Sequence, residues 1–203
     1  NPYTVRFDAN GGEGEEMEPY AAVYGEEDVL PDNAYAIAGY MPVGWSLTPT
    51  GDVVVAEGGC FSNLTAEFGG EVTLYAQWAP NEYSVCFNAN GGDGWMDDEP
   101  FVYFEEQELA ANEFYRCGYV FTGWTGEDGR TFADGELVSN LTTCVRGVYE
   151  LSAVWAPVSY AVRFDANGGS GEMADLPMTY DEVSALSSNG FSRVGYSFVG
   201  WTT

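Results

Sequence analysis

At 203 residues, the chain sets 32 Asp and Glu against six Arg and holds neither Lys nor His, for a formal net charge of -26. Such a field repels nucleic acid and anionic membrane surfaces, and the missing residue types remove a near-neutral proton shuttle, catalytic amines and Lys–Asn isopeptide cross-links. Hydrophobic residues at 45% and aromatics at 16% still argue for packed cores, while the longest uncharged stretch, 33–51, is broken by Gly and Pro and is too polar to span a bilayer.

The first element is a strand. Tyr3, Val5 and Phe7 alternate with Thr4, Arg6 and Asp8, which turns one apolar row inward. Asn10-Gly11-Gly12 then supplies the positive backbone angles for a reversal into a second strand within 17–24. Gly39-Tyr-Met-Pro-Val-Gly-Trp45 forms a middle block, with Tyr40 and Trp45 assigned to the core. After Asn63-Leu-Thr65, the residues Val72, Leu74, Ala76 and Trp78 alternate once more in a closing strand.

The whole set then recurs. Tyr83 to Gly92 and Tyr160 to Gly169 repeat the opening, 80 and 77 residues after the preceding start. Gly118 to Trp124 and Gly195 to Trp201 repeat the middle, so Tyr119, Tyr196, Trp124 and Trp201 are assigned to cores as well, and Tyr149 to Trp155 repeats the close. The period is longer than those of solenoids, so three units are expected, at 1–80, 81–157 and 158–203. The third is cut short before its closing strand and is not expected to be stable alone. A short helical turn is expected around Glu105 to Asn112. The junctions Ala79-Pro-Asn-Glu82 and Ala156-Pro-Val-Ser159 are short and contain Pro, which predicts monomeric, semi-rigidly linked beads. Asn1-Pro2-Tyr3 falls in the register of these junctions, as in a piece excised from a longer protein.

An opening of the form Tyr-x-Val-x-Phe-Asp-x-Asn-Gly-Gly, a middle Gly-Tyr-x-Phe-x-Gly-Trp and a closing Leu-Tyr-Ala-x-Trp resemble the Listeria-Bacteroides repeat, also found as the B-repeat of internalin-type surface proteins. The resemblance covers essentially the whole chain. It implies an α+β, mostly β fold of tandem β-grasp-like modules, each a small mixed sheet with at most one short helix. It also implies an extracellular place on the bacterial cell surface and no catalytic residue, cofactor or metal to carry over. The expected role is a non-catalytic spacer or stalk with weak multivalent adhesion to a host or neighbouring-cell surface protein or glycan. Two departures stand out: Pro42 replaces Phe121 and Phe198, which puts the first middle strand in doubt, and Ser152 replaces Tyr75.

Several residues invite sharper readings. Asp8, Asn10 and Gly12 resemble the start of a calcium loop, but no Glu follows at the required place and the second copy begins with Asn88, so a structural turn is favoured. Trp95 and Phe104 stand where the other copies have acids or Gly; as exposed loop aromatics they are candidate contacts for a glycan, mucin or other partner, against packing on the sheet. Cys60 aligns with Leu137 and is expected to be a buried apolar residue. Cys86, Cys117 and Cys144 of the second copy are candidate disulfide partners, with a pairing that spacing leaves open. Acid runs such as Glu13-Gly-Glu-Glu16 are read as solvated surface rather than glycosidase carboxylates. The sequons at Asn63 and Asn140 share one register, which points to a common turn.

Overall fold

The computed structural model describes residues 1–203 and is built from strands and turns, with no helix. The first copy supplies β1 (Pro2–Asp8), β2 (Glu13–Gly14), β3 (Tyr20–Val23), β4 (Asp28–Val29), β5 (Tyr35–Ala36), β6 (Tyr40–Ser46), β7 (Val55–Ala56), β8 (Cys60–Phe61) and β9 (Glu71–Pro80). The second supplies β10 (Glu82–Asn88), β11 (Glu99–Val102), β12 (Gln107–Glu108), β13 (Tyr119–Gly126), β14 (Thr131–Phe132), β15 (Leu137–Val138) and β16 (Val148–Pro157). β17 (Ser159–Val162) and β18 (Leu176–Thr179) form a two-stranded sheet in the third.

Corresponding strands take corresponding places. The first five-stranded sheet runs β3-β1-β9-β6-β7 and the second β11-β10-β16-β13-β14. In the first, β1 pairs antiparallel with β3 and parallel with β9, so the closing strand lies beside the opening one, as expected. By contact density the chain divides into two compact units. One comprises Asn1–Cys86, Asp97–Ala110 and Gly135–Glu150, and the other Phe87–Met96, Ala111–Asp134 and Leu151–Thr203.

The alternation holds at residue level. Tyr3, Val5 and Phe7 are buried on β1, and with Trp45, Leu74 and Ala76 they form the centre of the first core. Tyr83, Val85, Tyr149, Leu151 and Ala153 are buried on the matching strands of the second copy. Each opening Phe meets the Trp of the middle block: Phe7–Trp45 and Phe87–Trp124 at 5.1 Å, Phe164–Trp201 at 4.7 Å between ring centroids. A second ring, Tyr35, Phe114 or Phe191, closes on the same indole at 6.4, 6.1 and 6.0 Å. The third copy thus keeps its aromatic cluster with Trp201 only half-buried, because no strand in this chain corresponds there to β9 or β16.

Three expectations are corrected. The segment expected to be helical, Glu105 to Asn112, is extended, with β12 paired to β15; local helix propensity over so short a stretch is outweighed by strand pairing. Pro42 does not interrupt the middle strand. β6 runs through it, opposite Trp78, and slips register between Pro42 and Gly44 just as β13 does between Phe121 and Gly123. A bulge tolerates a residue with no N–H. Finally, Cys60 is exposed and so is its counterpart Leu137; their neighbours Phe61 and Val138 are the buried members of β8 and β15. Cys60 and Leu137 do occupy equivalent positions, and the inward-facing residue of each short strand is the next one along.

Candidate interaction sites at the joints between copies

The opening motif is structural. Asn10 adopts φ 47° and Asn90 φ 46°, and each takes its N–H to the side chain two residues earlier, Asp8 Oδ1 or Asn88 Oδ1, at 2.8 Å. Asn10 Nδ2 donates to the Ala76 carbonyl at 2.8 Å and Asn90 Nδ2 to that of Ala153 at 2.9 Å, tying the first turn to the closing strand. The closing indole completes the clamp: Trp78 Nε1 donates to Ala9 O and Trp155 Nε1 to Ala89 O. The Asp8 carboxylate is therefore engaged in the turn. Asn63 and Asn140, at φ 56° and 54°, likewise use Oδ1 to accept the backbone N–H of Gly25 and Phe104 at 2.6 Å. The shared sequon register is thus a shared turn, as expected.

The tyrosines of the middle blocks are not core residues, which corrects that assignment for Tyr40, Tyr119 and Tyr196. Trp45 and Trp124 are fully buried, but Tyr40 and Tyr119 lie at the joins between copies and Tyr196 is exposed. At the first joint, within the first compact unit, Asn81 N–H donates to Gly39 O and Asn81 O accepts from Tyr103 N–H, both at 2.8 Å. The Tyr103 ring lies over Gly39, where any Cβ would fall inside it, and meets Tyr40 edge-on at 6.3 Å. Asn81 is nearly inaccessible, its Nδ2 donating to Thr143 O at 2.8 Å and its Oδ1 left without a partner.

The second joint, within the second unit, repeats this arrangement. Val158 N–H donates to Gly118 O and Val158 O accepts from Tyr180 N–H, both at 2.9 Å. The Tyr180 ring covers Gly118 and meets Tyr119 edge-on at 5.7 Å, while Tyr119 donates its hydroxyl proton to Asp181 at 2.7 Å and carries the Arg116 guanidinium over its ring at 4.0 Å. The hydrogen bond to Asp181 is the leading reason that the Tyr119 pKa is raised, with burial adding to it. Each joint is a plug and a socket: a tyrosine after the second strand of one copy seats on the Gly-Tyr turn of the copy before it.

The candidate partner contacts separate. Phe104, at φ 68° and 62% exposed, packs on Tyr103 at 4.8 Å and Tyr40 at 5.6 Å, so it belongs to the first joint. Trp95 is 76% exposed. The two residues fall in different compact units. Cys117 and Cys144 are exposed free thiols, as is Cys60, and Cys86 is partly buried on β10. Of the carboxyls with a clearly shifted pKa, Asp28 is lowered chiefly by the Tyr20 hydroxyl and Glu71 chiefly by hydrogen bonding to Arg6, the opposite direction from a general acid.

The model of the Listeria-Bacteroides repeat domain matches three stretches, 3–77, 83–146 and 160–203, and this is not a family of enzymes. A "Putative membrane protein" of Evansella cellulosilytica is 32% identical over all of this chain, which spans 29% of that protein. A "Putative Gly-rich membrane protein" of the same organism is 28% identical over 99% of the chain, which covers 21% of its length. The chain therefore spans under a third of these relatives. No solved structure matches it.

Proposed function

This chain belongs to the Listeria-Bacteroides repeat family, and from that premise we propose that it is a spacer segment of a bacterial surface protein, carrying other parts of that protein away from the envelope. The observation that carries the proposal is the joint built twice from equivalent residues. A flexible tether needs no such device, whereas a spacer that holds its neighbours at set angles does. The membrane proteins among its relatives support a cell-surface, extracellular place. The strand order β3-β1-β9-β6, with β1 parallel to β9, supports a β-grasp-like unit that has lost its helix.

Spin labels at exposed Thr50 and Glu106, with the native cysteines changed to Ser, test the spacer. A narrow distance distribution that widens in Tyr103→Ala is expected. A distribution already broad in the parent would contradict it.

A second reading, weak adhesion to a glycan, is favoured by the exposure of Trp95. Repetition would raise the effective concentration of such a contact. Binding on a glycan array that disappears in Trp95→Ala is expected on this reading; an array equally blank for both proteins removes it.

A further inference from the structure

In the second copy four side chains share one outward face. Asp93 and Tyr115 form an antiparallel bridge, each N–H donating to the other's carbonyl at 2.8 and 2.9 Å. A Cβ on the next residue, Gly94, would meet Glu113 O at 3.1 Å and the Cα of buried Phe114 at 3.3 Å, so Gly94 and Phe114 look inward, as does buried Met96. The alternate residues Asp93, Trp95, Glu113 and Tyr115 look outward. All four are exposed, Trp95 by 76% and Tyr115 by 65%, and all four lie in the second compact unit. The register sets the two rings on one diagonal of the face, about 7–8 Å apart, and the two carboxylates on the other. The same bridge joins Glu13 to Ala36 and Ser170 to Ser192. There Glu15 and Glu172 stand for Trp95, and Ala34 and Gly190 for Glu113. The bridge therefore forms without either ring or Glu113, and folding does not account for them.

We propose that this face binds a glycan built of hexosamines with free, and so cationic, amino groups. The inference rests on the glycan reading of Trp95 and names the class of sugar. The apolar C–H faces of neighbouring sugar rings stack on Trp95 and Tyr115, and their ammonium groups donate charge-assisted hydrogen bonds to Asp93 and Glu113. Attraction of the ammonium to the indole face adds to this. Charge selects among glycans: the chain's -26 draws a cationic one and repels those bearing sulfate or carboxylate, while a neutral one leaves both carboxylates of the face unused.

NMR titrations of the full chain with trimers of glucosamine, N-acetylglucosamine and glucose test the proposal, at about pH 6 where the carboxylates are ionised and the amines protonated. The glucosamine trimer should shift the signals of Asp93, Trp95, Glu113 and Tyr115 and bind roughly tenfold more tightly than the other two. Trp95→Ala and Tyr115→Ala should each weaken its binding. The preference should vanish when Asp93→Asn and Glu113→Gln are combined, and persist in Asp52→Asn, which removes an exposed charge of the first copy. Equal binding of all three trimers to the Trp95 face overturns the amino-sugar assignment and leaves the glycan reading standing. Shifts spread over the acidic surface and unchanged by Trp95→Ala overturn the assignment as well. No binding by any trimer removes the assignment and the glycan reading together.

Discussion

Gly39 and Gly118 show how a single atom decides a joint. Both combine a left-handed φ with a tyrosine ring where a Cβ would stand, so an added methyl meets backbone strain and a clash together. Gly39→Ala is expected to destabilise the first joint by about 1–3 kcal/mol, read as faster amide exchange there. Asn81 makes a different case. Its Oδ1 is buried without a partner, and the second joint places Val158 at the same point. Asn81→Val removes that unsatisfied atom and frees Thr143 O, which belongs to an exposed residue, so the net change should stay within about 1 kcal/mol. Tyr119 supplies a pH handle. Its folded pKa lies above the ordinary 10, so the contribution of its hydroxyl bond to Asp181 is complete below pH 10 and lost as pH rises through the folded value. Ultraviolet titration should find two late-ionising tyrosines, Tyr20 beside Asp28 and Tyr119 beside Asp181, of which only Tyr119 moves toward 10 in Asp181→Ala; an unmoved titration would refute the assignment.

The strands were legible because period-two alternation needs only local residues, and the Phe–Trp pairs of the cores follow once alternate residues face inward. The middle strand with Pro42 was less so. Its bulge depends on pairing with β9, distant in sequence. The counterpart Phe121 meets Trp124 edge-on at 4.8 Å and Trp155 edge-on at 5.7 Å, contacts that a proline ring cannot reproduce. Pro42→Phe should therefore stabilise the first copy by about 0.5–1.5 kcal/mol, measured as slower exchange along β6. Exposed pairs matter mainly to acid behaviour. Glu71, held by Arg6, and Asp28, held by Tyr20, have folded pKa values below the ordinary 4.5 and 3.8. Their contributions are present above those values and lost as pH falls through the lower folded ones. Surface exposure keeps both effects small.

Over the whole molecule, repetition revealed the copies but concealed what the repeated tyrosines do. A residue kept in register in every copy is equally compatible with a core position and with a surface that meets the next copy. Tyr40 and Tyr119 turned out to be the second kind. The signal that could have separated them was the companion recurrence of Tyr24, Tyr103 and Tyr180 at the end of each second strand, of which Tyr103 and Tyr180 supply the rings that cover Gly39 and Gly118. The exposure of Cys60 was missed for a related reason, since alignment transfers position without fixing which face of a short strand looks inward.

Hydrogen exchange at the four joint amides tests the central claim most directly, because the joint is a bonded structure only if they are protected. Asn81, Tyr103, Val158 and Tyr180 should exchange as slowly as the paired amides of β1 and β9, and Gly39→Ala should speed the first two while leaving the last two unchanged. Exchange at all four as fast as in open loops of the unaltered chain would contradict the account.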